Sequence, residues 1–176
     1  MATPVSAANG RQIHALTIST VSFTVCFAVW TVFSIIGIEI QRELGLNEAE
    51  FGLLIGTPIL TGSLIRLVLG IWTDQYGGRS VLSLVMISAA IATALLTFAY
   101  DYPTYLLAAL GVGIAGGSFS VGVAYVSRFF PKDRQGAALG IFGAGNVGAA
   151  VTKFLAPTVM VSFGWHTVAL VWAAAI

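Results

Sequence analysis

Long stretches without a formally charged residue constrain this chain more than any other feature. Residues 16–38, 80–100 and 102–127 contain no Asp, Glu, Lys or Arg. Each stretch exceeds the roughly 20 apolar residues that cross a hydrocarbon core of about 30 Å. Only 9% of all 176 residues are charged, against about a quarter in soluble domains. A soluble fold and a disordered chain are therefore excluded, and the sequence indicates an integral membrane protein.

The apolar runs predict an all-α transmembrane fold, since helices satisfy every backbone hydrogen bond within one segment. Asn47, followed by Glu50, forms a capping-box pattern before the second run. A polar cytoplasmic tail at residues 1–12 precedes the bundle. We expect the chain to be truncated inside its sixth helix, which is too short to cross the bilayer, and these residues alone not to transport. The predicted helices, named spans 1 to 6, cover residues 13–38, 49–73, 80–100, 103–128, 135–160 and 165–176.

The cationic residues between the spans predict the orientation. On one side only Arg42 is found, and on the other are Arg11, Arg79, Arg128, Lys132 and Arg134. Cytoplasmic loops carry the excess of Lys and Arg. We therefore expect a multi-pass protein of the cell inner (plasma) membrane with a cytoplasmic N-terminus and the lipid bilayer as its surroundings.

Several functional classes lack support in the sequence. A formal net charge of +1 does not indicate nucleic-acid binding. Cys26 is the only cysteine, and His14 and His166 are isolated, so no metal site is expected. No nucleophile–base pattern or phosphate loop is present. We therefore expect neither an enzyme nor a cofactor.

Arg66 is the most informative residue, because a charge inside a span costs about 2.5–3.5 kcal/mol. Its sequence neighbours are apolar, and no adjacent carboxylate neutralises it. One interpretation is a cation that faces a water-filled cavity and binds an anionic substrate, for which the arginine fork suits planar oxyanions. The alternative is an arginine that snorkels to the cytoplasmic interface. We favour the substrate site.

Spans 4 and 5 are rich in glycine. Close helix packing explains such stretches, but the amide of Asn146 needs partners, so it either binds a polar substrate or bridges two helices. Phe119 in span 4 is either lipid-facing or a flat wall beside the cavity. Lys153 in span 5 is either interfacial or part of an ion path.

The loop after span 2 contains Gly70, Asp74, Gly77 and Arg79. Asp74 has a suitable position for pairing with Arg128 or with a helix N-terminus. Such a contact is either a gate that opens during function or a static surface ion pair.

A division into two units of three spans is common among transporters. This division aligns span 2 with span 5. Each of the two spans carries one cation, Arg66 or Lys153, and one proline, Pro58 or Pro157, but the prolines lie at different positions within their spans. The repeat signal in the sequence is weak.

The loop pattern Gly70-x-x-x-Asp74-x-x-Gly77-x-Arg79 resembles the signature loop of the major facilitator superfamily. Residues 27–34, Arg66, the segments 116–119 and 129–132, and the pattern Gly140-x-x-Gly143-x-Gly145-Asn146-x-Gly148 look like the nitrate/nitrite porter family. The resemblance begins at about residue 14 and continues through the chain.

This resemblance implies the N-terminal six-helix bundle of a twelve-helix secondary carrier, with nitrate or nitrite as substrate and the missing C-terminal half as partner. By position it implies that Arg66 and Phe119 contact the anion and that Gly143, Gly145, Asn146 and Gly148 line its path. Exchange of nitrate for nitrite and symport with protons both stay open. A carrier of another small organic anion and a non-transporting helical membrane protein are the alternatives.

Overall fold

The structure, a computed structural model, describes the backbone of residues 5–176 and the side chains of residues 10–176. Residues 1–4 of the predicted tail lie outside this range. The described part consists of helices joined by short turns. Short 3₁₀ segments cover Leu96–Phe98, Ile114–Gly117 and Ala144–Asn146. The helices are α1 (Val5–Trp30), α2 (Phe33–Leu44), α3 (Glu48–Tyr76), α4 (Gly78–Leu95), α5 (Tyr102–Gly113), α6 (Ser118–Ser127), α7 (Lys132–Gly143), α8 (Val147–Phe163) and α9 (Trp165–Ala175).

Five helical stretches are long and apolar enough to cross a membrane: Gly10–Leu44, Glu48–Tyr76, Gly78–Phe98, Tyr102–Ser127 and Lys132–Phe163. They correspond to spans 1 to 5, and α9 corresponds to span 6. The all-α membrane fold is therefore confirmed. The helix bounds of span 1 differ from the predicted 13–38, because α1 already includes residues 5–12 and α2 continues to Leu44. The predicted border between tail and bundle does not coincide with a helix boundary.

Span 1 is interrupted between α1 and α2, which the sequence analysis did not predict. The Thr31 hydroxyl donates to the carbonyls of Phe27 and Ala28, and the Ser34 hydroxyl donates to Thr31. Hydroxyls that bond back to the preceding turn often bend a helix. Span 4 is likewise interrupted by the 3₁₀ segment Ile114–Gly117. Both interruptions lie next to the candidate site described below.

The predicted capping box at the start of span 2 is confirmed. The Asn47 side chain accepts hydrogen bonds from the backbone N–H groups of Ala49 and Glu50, and the Glu50 carboxylate accepts one from the N–H of Asn47. These contacts satisfy N–H groups that the first helical turn leaves without intrahelical partners.

The packing of the spans follows the division into two units of three. Span 1 packs along span 5, and span 2 packs along span 4. If spans 1–3 correspond to spans 4–6, these two pairs correspond to each other. Glycines permit the close approach in both pairs: Gly113 meets Pro58 and Thr61 across spans 4 and 2, and Gly148 meets Thr24 across spans 5 and 1. The packing therefore supports the repeat more clearly than the sequence does.

The cationic loops share one end of the bundle. There, Gln12 donates to the carbonyl of Phe129 at 2.7 Å, which joins the start of span 1 to the loop after span 4. At the opposite end, Trp165 donates through its indole N–H to the Glu43 carboxylate at 2.9 Å. The five cations that predict the cytoplasmic side thus belong to loops and termini at one end.

Candidate functional site

Arg66 points into the bundle between spans 1, 2 and 4. Its Nε donates a hydrogen bond to the carbonyl oxygen of Gly116 at 3.1 Å. Gly116 lies about 16 Å along span 4 from the end at Ser127, at 1.5 Å per residue. The side chain is half-buried. Its partner therefore lies deep within the neighbouring helix, which favours a side chain that stays in the bundle over one that extends to the membrane surface.

Two aromatic rings from different spans lie against the guanidinium group. Its central carbon is 5.7 Å from the ring centroid of Trp30 and 5.6 Å from that of Phe119. Both distances are within the range of cation–π attraction, which is worth about 0.5–2 kcal/mol between exposed and desolvated sites. The rings compensate in part for the loss of water around the charge. They also restrict the directions in which the group can turn.

The charge of Arg66 has no carboxylate partner among residues 10–176. The ion pairs in that range join Arg42 to Glu39, Arg128 to Asp74 and Arg134 to Asp133. Nε is the atom of Arg66 that binds Gly116, and within the same residues Nη1 and Nη2 have no hydrogen-bond partner. These two nitrogens form a planar fork that donates parallel hydrogen bonds to an oxyanion. The arrangement has the donors that an oxyanion ligand requires.

Other aromatic rings hold Phe119 in place beside Arg66. Its ring centroid lies 5.5 Å from that of Phe23 in span 1 and 5.9 Å from that of Phe142 in span 5. Phe23 and Phe142 stack at 4.8 Å. Phe119 itself is 37% exposed. The ring is therefore held by other aromatic rings next to Arg66, and the side chain as a whole stays partly exposed.

The four span 5 residues expected to line the path fall into two groups. Asn146 is exposed and donates to the carbonyl of Gly143 in its own helix at 2.8 Å, and a Cβ on Gly143 would meet no other atom within 4 Å. Gly145 and Gly148 are buried against Phe23, Thr24 and Ala28 of span 1. The structure brings none of the four into contact with Arg66, and it gives Gly145 and Gly148 a packing role.

The loop after span 2 makes the predicted ion pair. Arg128 Nη2 lies 2.7 Å from Asp74 Oδ1, which confirms the pairing. Gly77 has a φ of +83°, a backbone conformation that favours glycine. The next residue, Gly78, lies directly against Tyr125 of span 4. Arg79 lines a cavity together with His14, and a Cβ on Gly70 would meet open space.

Two contributors to the site were not predicted. Trp30 belongs to the segment 27–34 that carries the family resemblance, but the sequence predicts no role for it at the site. Its indole N–H donates to the carbonyl of Pro58 at 2.8 Å. Ser120 donates to the backbone carbonyl of Arg66 at 3.2 Å. The sequence signal that could have identified Ser120 is its position directly after Phe119.

Lys153 is exposed on span 5. In residues 10–176 no three His, Cys, Asp or Glu side chains are grouped to hold a metal ion.

Comparison with known proteins gives several relatives. The chain is 48% identical over 151 residues to a probable nitrate/nitrite antiporter, NarK1, of Thermus thermophilus, which covers 86% of this chain and 34% of that protein. It is 31% identical over 157 residues to the nitrite extrusion protein of Bacillus subtilis, with coverage of 89% and 40%. It is 32% identical over 152 residues to a probable nitrate transporter, NarT, of Staphylococcus carnosus, with coverage of 86% and 39%.

The chain thus spans about a third to two fifths of the length of these curated relatives. A family model described as Major Facilitator Superfamily matches residues 18–176. This match includes the spans that carry Arg66, Trp30, Phe119 and the Asp74–Arg128 ion pair. Because the match covers most of the chain, the protein belongs to the Major Facilitator Superfamily.

Proposed function

We propose that this chain forms the N-terminal part of a secondary carrier that moves nitrate and nitrite across the cell inner membrane. The observation that carries the proposal is the guanidinium of Arg66, held between two aromatic rings and one backbone carbonyl with Nη1 and Nη2 directed to no protein partner in the described residues. Nitrate is small, planar and singly charged, and it matches this fork. The names of the relatives in Thermus, Bacillus and Staphylococcus support the same substrates.

The carrier works by alternating access, in which two bundles rock around a site near the middle of the membrane. Arg66 and Phe119 contact the anion from the N-terminal bundle, while Asn146 and Gly143 face the C-terminal half. The Asp74–Arg128 ion pair closes the cytoplasmic end in one state. The clustering of cationic loops at one end supports a cytoplasmic N-terminus.

Import of nitrate needs coupling, because a membrane potential that is negative inside opposes anion entry by about 2.3 kcal/mol per charge per 100 mV. Within residues 10–176 the Asp and Glu residues lie in loops or near helix ends, except Glu39, which lies inside α2 and pairs with Arg42. The described residues therefore do not supply a chain of carboxylates through the bundle for a proton relay. Exchange of external nitrate for internal nitrite moves one charge in each direction and avoids the electrical cost. We therefore favour exchange over symport with protons.

The test uses the full-length carrier in liposomes that contain nitrite inside and isotopically labelled nitrate outside. Arg66→Lys keeps the charge but lacks the planar fork, so it loses most nitrate uptake while the protein still inserts and purifies as a single species. Arg42→Lys is the matched control, because Arg42 is exposed and pairs with Glu39 in the same helix. We expect this control to retain uptake.

Uptake by Arg66→Lys within a few-fold of the parent would contradict the role of Arg66 as a substrate contact. An excess of a small organic anion that abolishes uptake, while excess unlabelled nitrate does not, would assign the carrier to a different substrate. Uptake that continues in the absence of internal nitrite but stops when a proton gradient is dissipated would replace exchange by symport.

A further inference from the structure

Trp30 occupies a slot that two glycines create. A Cβ atom on Gly62 of span 2 would lie 2.8 Å from Trp30 Nε1, and a Cβ on Gly116 of span 4 would lie 2.7 Å from the same atom. Real Cβ atoms essentially never approach other heavy atoms this closely. The indole ring therefore packs directly on the backbones of two neighbouring helices.

A hydrogen bond orients the ring within this slot. Trp30 Nε1 donates to the carbonyl oxygen of Pro58 at 2.8 Å, about one helical turn before Gly62 in span 2. The ring is thus held by backbone contacts to both helices and by one directional bond. Backbone contacts of this kind leave an aromatic side chain little freedom to change its rotamer.

The slot also connects Trp30 to Arg66. Gly116 touches the indole ring through its Cα side and accepts the hydrogen bond from Arg66 Nε through its carbonyl. The guanidinium carbon of Arg66 lies 5.7 Å from the indole centroid. The indole ring of Trp30 therefore contacts Gly116, whose carbonyl accepts the hydrogen bond from Arg66, and it also lies against the guanidinium group itself.

We propose that Trp30 is a positioning residue of the anion site, which fixes the direction in which Nη1 and Nη2 of Arg66 point. The inference rests on the proposed function and deepens it. A guanidinium group that is fixed before the ligand arrives loses less conformational freedom on binding. The direction of the fork also favours an oxyanion such as nitrate over a spherical ion such as chloride, because two oxygens of one oxyanion accept the two parallel hydrogen bonds and a single ion does not.

Trp172 supplies a matched control within the same chain. Its indole N–H donates to the hydroxyl of Thr152 at 2.9 Å, and the side chain is buried at the contact between spans 5 and 6. Both tryptophans thus donate to a neighbouring helix from a packed position. Trp172 has no cation–π contact with Arg66, so its loss tests packing and an interhelical hydrogen bond away from the site.

The experiment measures binding of sodium nitrate, sodium nitrite and sodium chloride to the purified full-length carrier by isothermal titration calorimetry. The variants are Trp30→Leu, Trp30→Phe, Trp172→Leu and Trp172→Phe, each with its melting temperature in the same detergent. Trp30→Leu weakens nitrate binding roughly tenfold and Trp30→Phe about threefold, since phenylalanine keeps an aromatic face but loses the bond to Pro58. Trp30→Leu also lowers the ratio of the affinity for nitrate to the affinity for chloride. Both Trp172 variants bind within about twofold of the parent, whatever their melting temperatures.

Nitrate affinity of Trp30→Leu within about twofold of the parent would overturn the inference, as would an equal loss in Trp172→Leu. If Trp30→Leu does not fold, the comparison of Trp30→Phe with Trp172→Phe decides in the same way. A parent carrier that binds neither nitrate nor nitrite would overturn the proposed function itself. Binding that is lost in Arg66→Ala but unchanged in Trp30→Leu would overturn this inference alone.

Discussion

The Nη2 atom of Arg128 lies 2.7 Å from Oδ1 of Asp74, so an ion pair joins the loop after span 2 to the end of span 4. The two side chains are 46% and 71% exposed. Exposed pairs of this kind typically contribute about 0–1 kcal/mol to stability. A weak contact between two helix ends can break and re-form without unfolding either helix, which suits a gate better than a structural clamp.

Asp74→Asn in the full-length carrier is therefore expected to slow transport more than it weakens substrate binding. The substitution removes the charge that pairs with Arg128 but leaves Arg66 unchanged. Asp133→Asn is the control, because Asp133 lies 3.9 Å from its sequence neighbour Arg134 and joins no two spans. Initial uptake rates and calorimetric affinities measured on the same preparations check this expectation. A fall of affinity in proportion to the rate would contradict a gating role.

Phe119→Leu is expected to weaken nitrate binding several-fold, since a cation–π contact with a partly exposed ring is worth about 0.5–2 kcal/mol. The ring lies 5.6 Å from the guanidinium carbon of Arg66. Phe154→Leu serves as the control, because Phe154 is 79% exposed on span 5. Calorimetric titration with nitrate measures the difference. Equal affinities for the two variants would remove Phe119 from the site.

Gly148→Ala is expected to destabilise the bundle by about 1–3 kcal/mol, as overpacking of a close contact does. A Cβ at this position would overlap the carbonyl oxygen of Thr24 and lie 2.9 Å from the backbone nitrogen of Ala28. Gly140→Ala in the same span is the control, because its Cβ would meet nothing within 4 Å. Thermal unfolding of both variants in detergent gives the comparison. Equal melting temperatures would mean that spans 1 and 5 pack less closely than described.

Asn47→Ala is expected to lower the stability of the start of span 2 by about 0.5–2 kcal/mol, the usual effect of removing an N-cap. The Asn47 side chain accepts from two backbone N–H groups, both at 3.0 Å. Glu48→Gln is the control, since Glu48 lies in the same turn but outside the capping box. Hydrogen exchange at residues 48–51 reports the effect. Unchanged exchange would show that the helix start is held by other contacts.

The local features of this protein were predictable from the sequence. The uncharged runs predict the membrane helices, and Asn47 and Glu50 predict the capping box. The opposite charges of Asp74 and Arg128 on one side of the bundle predict their ion pair as one of two alternatives for Asp74. The resemblance to the major facilitator superfamily is confirmed by the family match over residues 18–176. The helices and the capping box depend on composition within one span or on residues close in sequence, whereas Asp74 and Arg128 are 54 residues apart and share only their side of the bundle.

The partners of Arg66 could not be derived in the same way. The sequence identifies a charge inside an apolar helix. It does not show that Arg66 bonds to the carbonyl of Gly116, because every residue has a backbone carbonyl and the residue type does not indicate which one accepts. Trp30 went unassigned for a related reason, because its slot is formed by two glycines on other spans. The interruption of span 1 after Trp30 was also missed, since neither proline nor glycine marks it.

The amino-acid sequence alone establishes that the chain is helical and lies in a membrane, because both properties follow from the transfer of apolar side chains into lipid and from hydrogen bonds within each span. The packing of the spans sets which glycines contact a neighbouring helix and which face open space, and it sets where the guanidinium of Arg66 points. Span 5 contains several glycines that the sequence does not distinguish from one another. A Cβ on Gly148 would meet the backbone of span 1, whereas a Cβ on Gly140 would meet no neighbouring helix. Such differences depend on the crossing of two helices, and that crossing is set by the packing of all the spans together.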